Sequence, residues 1–254
     1  MIPQPNSNRL WVIGRQGFIW SFENHPNTST KTLVLDHYDK TMGWEDCGML
    51  GLAFHPEFGV PGSPNRGYVY VWYNYRQTGN PGSVGANYNR LSRFKLEDGA
   101  FVIDPASEFV MINQFDEHSW HNGGDMLFAP DGFLYVANGD EGGANDEYNN
   151  AQKINGGLFS GVLRIDVDQN PAKSHPIRRQ PQAGGTPPAG WPATYSQGYY
   201  IPDDNPWLDP GGSLLEEFYA IGLRSPHRMA RGPGSGSGFI GDIGRAARGG
   251  SGIL

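Results

Sequence analysis

The sequence predicts an all-β fold in which short antiparallel strands form the blades of a propeller. A phrase of one glycine followed by alternating aromatic and apolar residues occurs four times along the 254 residues. The composition, with 37 glycines, 20 prolines and 13% aromatic residues, suits short strands joined by tight turns. Helical periodicity is almost absent, so three or four strands per repeat predict propeller blades.

The four copies of the phrase begin at Gly17, Gly67, Gly132 and Gly238. Each follows a turn and is predicted to be an inner strand of an antiparallel sheet. Between the copies, apolar segments predict further strands at residues 9–13, 31–35, 48–54, 90–96, 108–112, 161–166 and 216–221. An insertion rich in proline and glycine, residues 171–210, makes the spacing uneven and is predicted to be an irregular surface loop.

The chain is expected to be a single, incomplete propeller domain spanning residues 1–254 and containing about four blades. A closed propeller hides its sheet edges by running in a full circle, so its first and last blades must meet. Here the chain opens inside a strand-like phrase and stops soon after the fourth repeat. We therefore expect it to be the N-terminal two-thirds of a longer propeller.

Charge and apolar content exclude several classes of partner. The net charge of −7 and the pI near 5.4 argue against binding to nucleic acid or to an anionic membrane surface. No apolar run is long enough to span a bilayer. The first residues contain no basic segment followed by an apolar one. A single cysteine, Cys47, excludes an intramolecular disulfide framework.

Residues 121–140 are predicted to form a β-hairpin with a candidate catalytic residue at each outer end. The segment is a polar loop, an apolar strand, a Pro-Asp-Gly turn and a second apolar strand that ends in a carboxylate. The hairpin brings its outer ends together, so the side chains of His121 and Asp140 should lie close. An imidazole beside a carboxylate is the simplest general-base unit. The competing interpretation is an ordinary hairpin without a catalytic role.

Five segments occur in the order found in one known group of proteins. On these segments the chain resembles the soluble quinoprotein glucose/sorbosone dehydrogenases, and it shares the pattern with aldose sugar dehydrogenases and with hedgehog-interacting-protein-like domains. The resemblance extends to Gly244. The segments are EDCGMLGLAFHPEF (45–58), the hairpin 121–140, GVLRID (161–166), IPDDNPW (201–207) and YAIGLRSPHR (219–228).

The resemblance implies a six-bladed propeller that holds pyrroloquinoline quinone and calcium in a polar pocket at one end of its central channel. By this resemblance His121 falls on the general base, Asp140 on the acid that orients it, and Arg224 on an arginine next to the quinone. In such enzymes the base takes the proton of a sugar's anomeric hydroxyl, while hydride leaves the same carbon for the quinone.

The resemblance also implies three cofactor contacts, from Asp46, Arg224 and Ser225. Arg224 has an alternative role as a salt bridge between blades. Ser225 stands where an asparagine is common in the family. Asp46 stands where glucose dehydrogenases have a polar cofactor contact, although acidic residues also occur there in members of uncertain activity.

Calcium in this family is held largely by backbone oxygens in a Gly-Asp-Val-Gly-like turn. The matching residues run from Gly241 to Arg245, so the backbones of Gly244 and Arg245 are predicted to bind the metal. After Gly244 the family pattern fails, because Ala246 and Ala247 stand where paired acidic residues are expected. The loop 140–147 is rich in side-chain oxygens and is a second candidate for binding calcium. The alternative interpretation is a solvated acidic loop without a metal.

Two functions of different class follow from the resemblance. The first is a sugar dehydrogenase, periplasmic or secreted in its full-length form, that passes electrons to an external acceptor such as a cytochrome. Little turnover is expected from these 254 residues alone. The alternative is a non-enzymatic, hedgehog-interacting-protein-like propeller that binds a protein or a glycan. Such relatives normally sit among disulfide-rich modules, so the single cysteine favours the enzyme.

Overall fold

The computed structural model describes residues 1–77, 85–232, 238–244 and 250–253. Within these residues two short 3-10 helices, Tyr38–Lys40 and Pro105–Ser107, accompany an otherwise all-β chain. The strands are β1 (Ile2–Pro3), β2 (Arg9–Gly14), β3 (Phe18–Glu23), β4 (Thr32–Asp36), β5 (Met49–Phe54), β6 (Tyr68–Tyr75), β7 (Asn87–Lys95), β8 (Phe109–Asp116), β9 (Met126–Phe128), β10 (Leu134–Asn138), β11 (Gly161–Ile165), β12 (Ser174–Pro176), β13 (Tyr195–Ser196), β14 (Tyr200–Pro202), β15 (Phe218–Ile221), β16 (Pro226–Arg231), β17 (Gly238–Asp242) and β18 (Gly250–Ile253).

Four antiparallel sheets follow one another along the described part of the chain. Blade 1 is β1–β4, blade 2 is β5–β8 with β13 at its outer edge, blade 3 is β9–β11 with β15, and blade 4 is β16–β18. Strands β12 and β14 form a small separate pair. Every strand that the sequence predicted is present. Neighbouring strands are joined by short turns, and this favours antiparallel pairing.

Apolar cores lie between successive blades. Trp11 and Leu35 of blade 1 pack with Val71 and Phe94 of blade 2 in one cluster. A second cluster joins blades 2 and 3, and a smaller one joins blade 3 to Met229 and Ile240 of blade 4. Burial of this surface is the main force that holds the blades face to face.

Only part of the insertion 171–210 is the irregular loop that we predicted. Strand β13 pairs with β8, opposing Tyr195 to Asn113, and so extends blade 2. Strand β14 pairs with β12 and also meets blade 3 through a bridge between Tyr200 and Asp166. Tyr199 and Ile201 are 1% exposed and belong to the core between blades 2 and 3. These apolar side chains fold the insertion back onto the blades.

A buried charge cluster joins blade 1 to blade 2. The Glu108 carboxylate accepts hydrogen bonds from Tyr73 and Ser92 of blade 2 and pairs with Lys40, which follows blade 1, at 3.1 Å. The Nε2 atom of His37 lies 3.6 Å from the same carboxylate. Burial alone would raise the pKa of Glu108, but the His37 ring and the two hydroxyl groups lower it well below its usual range.

Replacing Glu108 by glutamine is expected to lower the free energy of unfolding by about 1–3 kcal/mol at pH 7. A carboxyl whose pKa is lowered by folding stabilises the folded state above its unfolded pKa of about 4.3 and loses that contribution as the pH falls. The difference between wild type and E108Q, measured by urea unfolding, should therefore shrink at about pH 3 relative to pH 7.

The matched control is Glu97→Gln, which removes an exposed partner of Lys95. An exposed pair contributes little, so this variant should stay within about 0.5 kcal/mol of wild type. A loss in E108Q that is the same at both pH values would contradict the assignment of the lowered pKa to Glu108.

The innermost strands bring one end of three blades together. Strand β9 of blade 3 lies against β5 of blade 2 on one side and against β16 of blade 4 on the other. The segments that precede these strands therefore meet at one end of the array. No helix in the described part of the chain has both the length and the apolar character needed to cross a membrane.

Candidate active site

Five of the predicted site residues lie at that shared end. Asp46 lies shortly before β5, His121 shortly before β9, and Arg224 and Ser225 directly before β16. Asp140 follows β10, which pairs antiparallel with β9, so the end of one strand lies beside the start of the other. These five residues, from four separate places in the sequence, thus belong to one region.

His121 and Asp140 form a buried pair. The Nδ1 atom of His121 lies 2.6 Å from Oδ1 of Asp140, and each residue is 5% exposed. The proximity predicted from the hairpin is therefore confirmed. A carboxylate only accepts hydrogen bonds, so Nδ1 is the donor, and in the neutral form of the ring Nε2 carries the lone pair. The carboxylate of Asp140 thus contacts Nδ1 and not Nε2.

Backbone contacts fix this pair from both neighbouring blades. The N–H group of His121 donates to Oδ2 of Asp46 at 3.1 Å, and the N–H group of Asp140 donates to the carbonyl of Arg224 at 2.9 Å. His121 has a φ of 60°, which is uncommon for a residue other than glycine. The contact with Asp46 holds the backbone in this conformation.

The carboxylate of Asp242 anchors Arg224 and Ser225. It accepts from the N–H group of Arg224 at 3.1 Å and from that of Ser225 at 2.6 Å. The Arg224 guanidinium donates a hydrogen bond to the carbonyl of Ile243 at 3.1 Å. This contact joins two segments of blade 4, so it is not the salt bridge between blades that was the alternative role of Arg224. Ser225 is 2% exposed, and its hydroxyl lies 3.2 Å from Nε2 of His227.

A buried network of amides under the pair was not anticipated from the sequence. The amide nitrogen of Asn74 donates to the oxygens of Asn122 and Asn89, at 2.8 and 2.6 Å. Asn89 in turn donates to Asp116 at 3.0 Å, and Asn138 donates to the carbonyl of Leu158 at 2.7 Å. Because Asn122 follows His121 and Asn138 lies two residues before Asp140, the network supports both arms of the hairpin.

Two acidic groups beside the pair are shifted towards their neutral forms. Burial raises the pKa of Asp116 well above its ordinary value, and the nearby Glu141 carboxylate adds to this shift. Burial also raises the pKa of Glu141, although a hydrogen bond from Asn150 opposes the effect. Each shift has desolvation as its largest cause, since burial disfavours the charged form of a carboxyl group.

The described residues contain no cluster of metal-binding side chains. No group of three His, Cys, Asp or Glu side chains within them lies close enough to hold a metal ion. In the loop 140–147, Asp146 already accepts from two backbone N–H groups and Glu147 lies 3.4 Å from a third. The backbone of Gly244 follows β17, whereas Arg245 lies outside the described residues.

Solved structures of sugar dehydrogenases share the fold. The soluble aldose sugar dehydrogenase of Escherichia coli superposes with a TM-score of 0.63 at 20% identity, over 98% of this chain and 57% of that one. The pyrroloquinoline quinone-bound aldose sugar dehydrogenase of Streptomyces coelicolor gives 0.52 at 20% identity, over 93% and 54%. The predicted fold is confirmed as a partial propeller of the quinoprotein glucose dehydrogenase type with about four blades.

Relatives of known name include both enzymes and binding proteins. The HIPL2 protein of Arabidopsis thaliana is 28% identical over 268 residues, covering 91% of this chain and 36% of the relative. Human hedgehog-interacting protein is 27% identical over 232 residues, covering 88% and 28%. The aldose sugar dehydrogenase YliI of Escherichia coli is 25% identical over 199 residues, covering 78% and 41%. The chain spans less than half the length of each relative.

The family model named "Glucose / Sorbosone dehydrogenase" matches residues 1–188, which is most of the chain. The match includes blade 1, strands β5–β8 of blade 2, the hairpin that carries His121 and Asp140, and strand β11. The chain therefore belongs to the glucose/sorbosone dehydrogenase family.

Proposed function

We propose that the protein is a quinoprotein sugar dehydrogenase that oxidises the anomeric hydroxyl of an aldose, or of a similar alcohol. The observation that carries the proposal is the buried pair of His121 and Asp140, in which the carboxylate contacts Nδ1 and not Nε2 of the ring. Membership of the glucose/sorbosone dehydrogenase family supports the same reaction class.

In this proposal His121 is the general base. Its Nε2 atom accepts the proton of the anomeric hydroxyl, and Asp140 holds the ring through the 2.6 Å contact and stabilises the charged imidazolium that forms. Asp46 acts through the backbone, because its hydrogen bond to the N–H group of His121 sets where the ring stands. The short apolar strand β9 and the turn after it keep the two arms in register.

The cofactor that we propose is pyrroloquinoline quinone, bound beside this pair with contacts from Arg224, Ser225 and Asp46. The Arg224 guanidinium fits the oxygen atoms of a quinone, because it is a fixed cation with N–H donors on the segment that touches Asp140. When bound, the quinone would accept the hydrogen and electron pair released from the sugar carbon. Calcium binding by the backbones of Gly244 and Arg245 stays a prediction, and no step is assigned to the metal.

Electrons would then pass to an external acceptor such as a cytochrome, and the full-length protein would act in the periplasm or outside the cell. The second candidate is a non-enzymatic propeller that binds a protein or a glycan. The similarity to hedgehog-interacting protein favours it. Under that alternative the pair would be retained for packing alone, and no quinone would be needed.

Reduction of a dye by a panel of aldoses tests the proposal, with the protein in its natural full length. The quinone is supplied with and without calcium, and the reaction without quinone is the blank. We expect aldose-dependent reduction only when the quinone is present. No reduction with any aldose, from protein that binds the quinone, would defeat the enzyme and favour the binding module. The 254 residues alone are expected to turn over slowly or not at all.

A further inference from the structure

The side chain of Trp120 stands open to solvent directly before His121 in the chain. We propose that its indole face is a stacking platform for the C–H face of a neutral aldose ring. The inference rests on the proposed function, because it states how the substrate is oriented over the same pair. It adds a residue that determines specificity.

Trp120 is one of two exposed tryptophans among the described residues, the other being Trp44 at 46%. Trp120 is 52% exposed, whereas Trp11 and Trp72 are at most 1% exposed in the cores between blades. An indole is among the largest apolar surfaces that a protein can bury, and it is enriched where one side meets a partner. The open face of Trp120 is therefore apolar area that a ligand can cover.

The indole is held by its edge. Its Nε1–H group donates to the Glu45 carboxylate, and the same oxygen accepts from the hydroxyl of Ser119 at 3.0 Å. The carbonyl of Glu45 accepts in turn from Arg15 at 2.8 Å. A ring that is fixed at one edge loses little freedom when a ligand covers its face, so binding is less costly in entropy.

Trp120 adjoins both members of the candidate catalytic pair. It precedes His121 in sequence, and it packs against Gly142, where a Cβ atom would lie 3.2 Å from the Cβ of Trp120. The N–H group of Gly142 donates to Oδ1 of Asp140 at 3.1 Å. A ring stacked on the indole would thus lie beside the pair that is proposed to deprotonate it.

The charges beside the indole select the chemical class of the ring. A pyranose presents C–H groups on its faces and hydroxyl groups around its rim. The carboxylates of Glu45 and Asp46 can accept hydrogen bonds from such hydroxyls. The same carboxylates repel a phosphate or a uronate. The platform therefore fits a neutral aldose better than the corresponding sugar phosphate or uronic acid.

The test compares Trp120→Phe with Trp120→Leu in the protein of natural full length, loaded with the quinone. Both variants lose the bond to Glu45, but only phenylalanine keeps a planar ring. We expect W120L to raise KM for a neutral aldose about tenfold, equivalent to about 1.4 kcal/mol, with kcat within about threefold of wild type. W120F should stay within about threefold in both constants. The aldose 6-phosphate and the uronic acid should have higher KM values in wild type.

A binding measurement separates this inference from the proposed function. The indole N–H resonance of Trp120, assigned by its loss in W120F, should shift when aldose is added, whereas that of Trp20, assigned in W20F, should not. If W120L oxidises the aldose with the KM of wild type, the stacking platform is wrong, but the proposed function stands. No oxidation by wild type together with a shifted Trp120 resonance overturns the enzyme and keeps the platform. Neither oxidation nor a shift overturns both.

Discussion

Replacing His121 by glutamine is expected to lower kcat for aldose oxidation by about 10²–10⁴-fold, the usual contribution of a general base. Glutamine keeps a side chain of similar reach, but its amide cannot take up a proton at neutral pH. The ring also anchors a 2.6 Å bond to Asp140, so Asp140→Asn should lower kcat too, by allowing the wrong tautomer. Steady-state kinetics of the quinone-loaded protein measure both effects.

The control for this experiment is His25→Gln, at an exposed position of blade 1 whose ring accepts a hydrogen bond from the backbone N–H group of Asn27. Its kcat should equal that of wild type. Quinone binding must be measured for every variant, so that a lost cofactor is not mistaken for lost chemistry. If H121Q keeps more than about a tenth of wild-type kcat, His121 is not the base.

Replacing Gly139 by alanine is expected to destabilise the protein by about 3 kcal/mol or more, at the upper end for overpacking. Three chain segments touch at this residue. An added Cβ atom would lie 1.7 Å from the carbonyl oxygen of His121 and 2.7 Å from that of Arg224. The backbone at His121 and at Arg224 must therefore move to make room for the methyl group. This movement should break the hydrogen bond from the N–H group of Asp140 to the Arg224 carbonyl.

The matched control is Gly14→Ala at the end of β2. Its Cβ atom would make only ordinary contacts, the nearest at 3.5 Å to the carbonyl of Phe18. Alanine there should change the free energy of unfolding by less than about 1 kcal/mol. Any change should be stabilising, because alanine gives the unfolded chain less conformational entropy than glycine. Urea unfolding measures both variants. A G139A protein within 1 kcal/mol of wild type would contradict the close approach of the three segments.

Local sequence signals were enough to predict the strands and the central pair. Glycine followed by alternating aromatic residues marks β3, β6 and β10 because strand residues alternate between two faces. The proximity of His121 and Asp140 could be predicted because a single hairpin joins them, so no distant part of the chain is needed to place them.

Contacts that depend on packing between blades could not be predicted in this way. The Asn74–Asn89–Asn122 network joins different blades, and its only sequence signal is asparagine inside apolar strands. The insertion was assigned to the surface because its prolines and glycines hid the two apolar residues, Tyr199 and Ile201, that return it to the core. The approach of three segments at Gly139 likewise exists only once the blades are assembled.

The most direct test of the central claim follows one hydrogen atom. An aldose that carries deuterium at its anomeric carbon is incubated with the quinone-loaded protein of natural full length. The product is then analysed by NMR. Oxidation at the carbon whose hydroxyl faces His121 predicts an aldonolactone, or the aldonic acid formed from it, without deuterium at that position. A product that retains the deuterium there, or no product at all, would contradict the account.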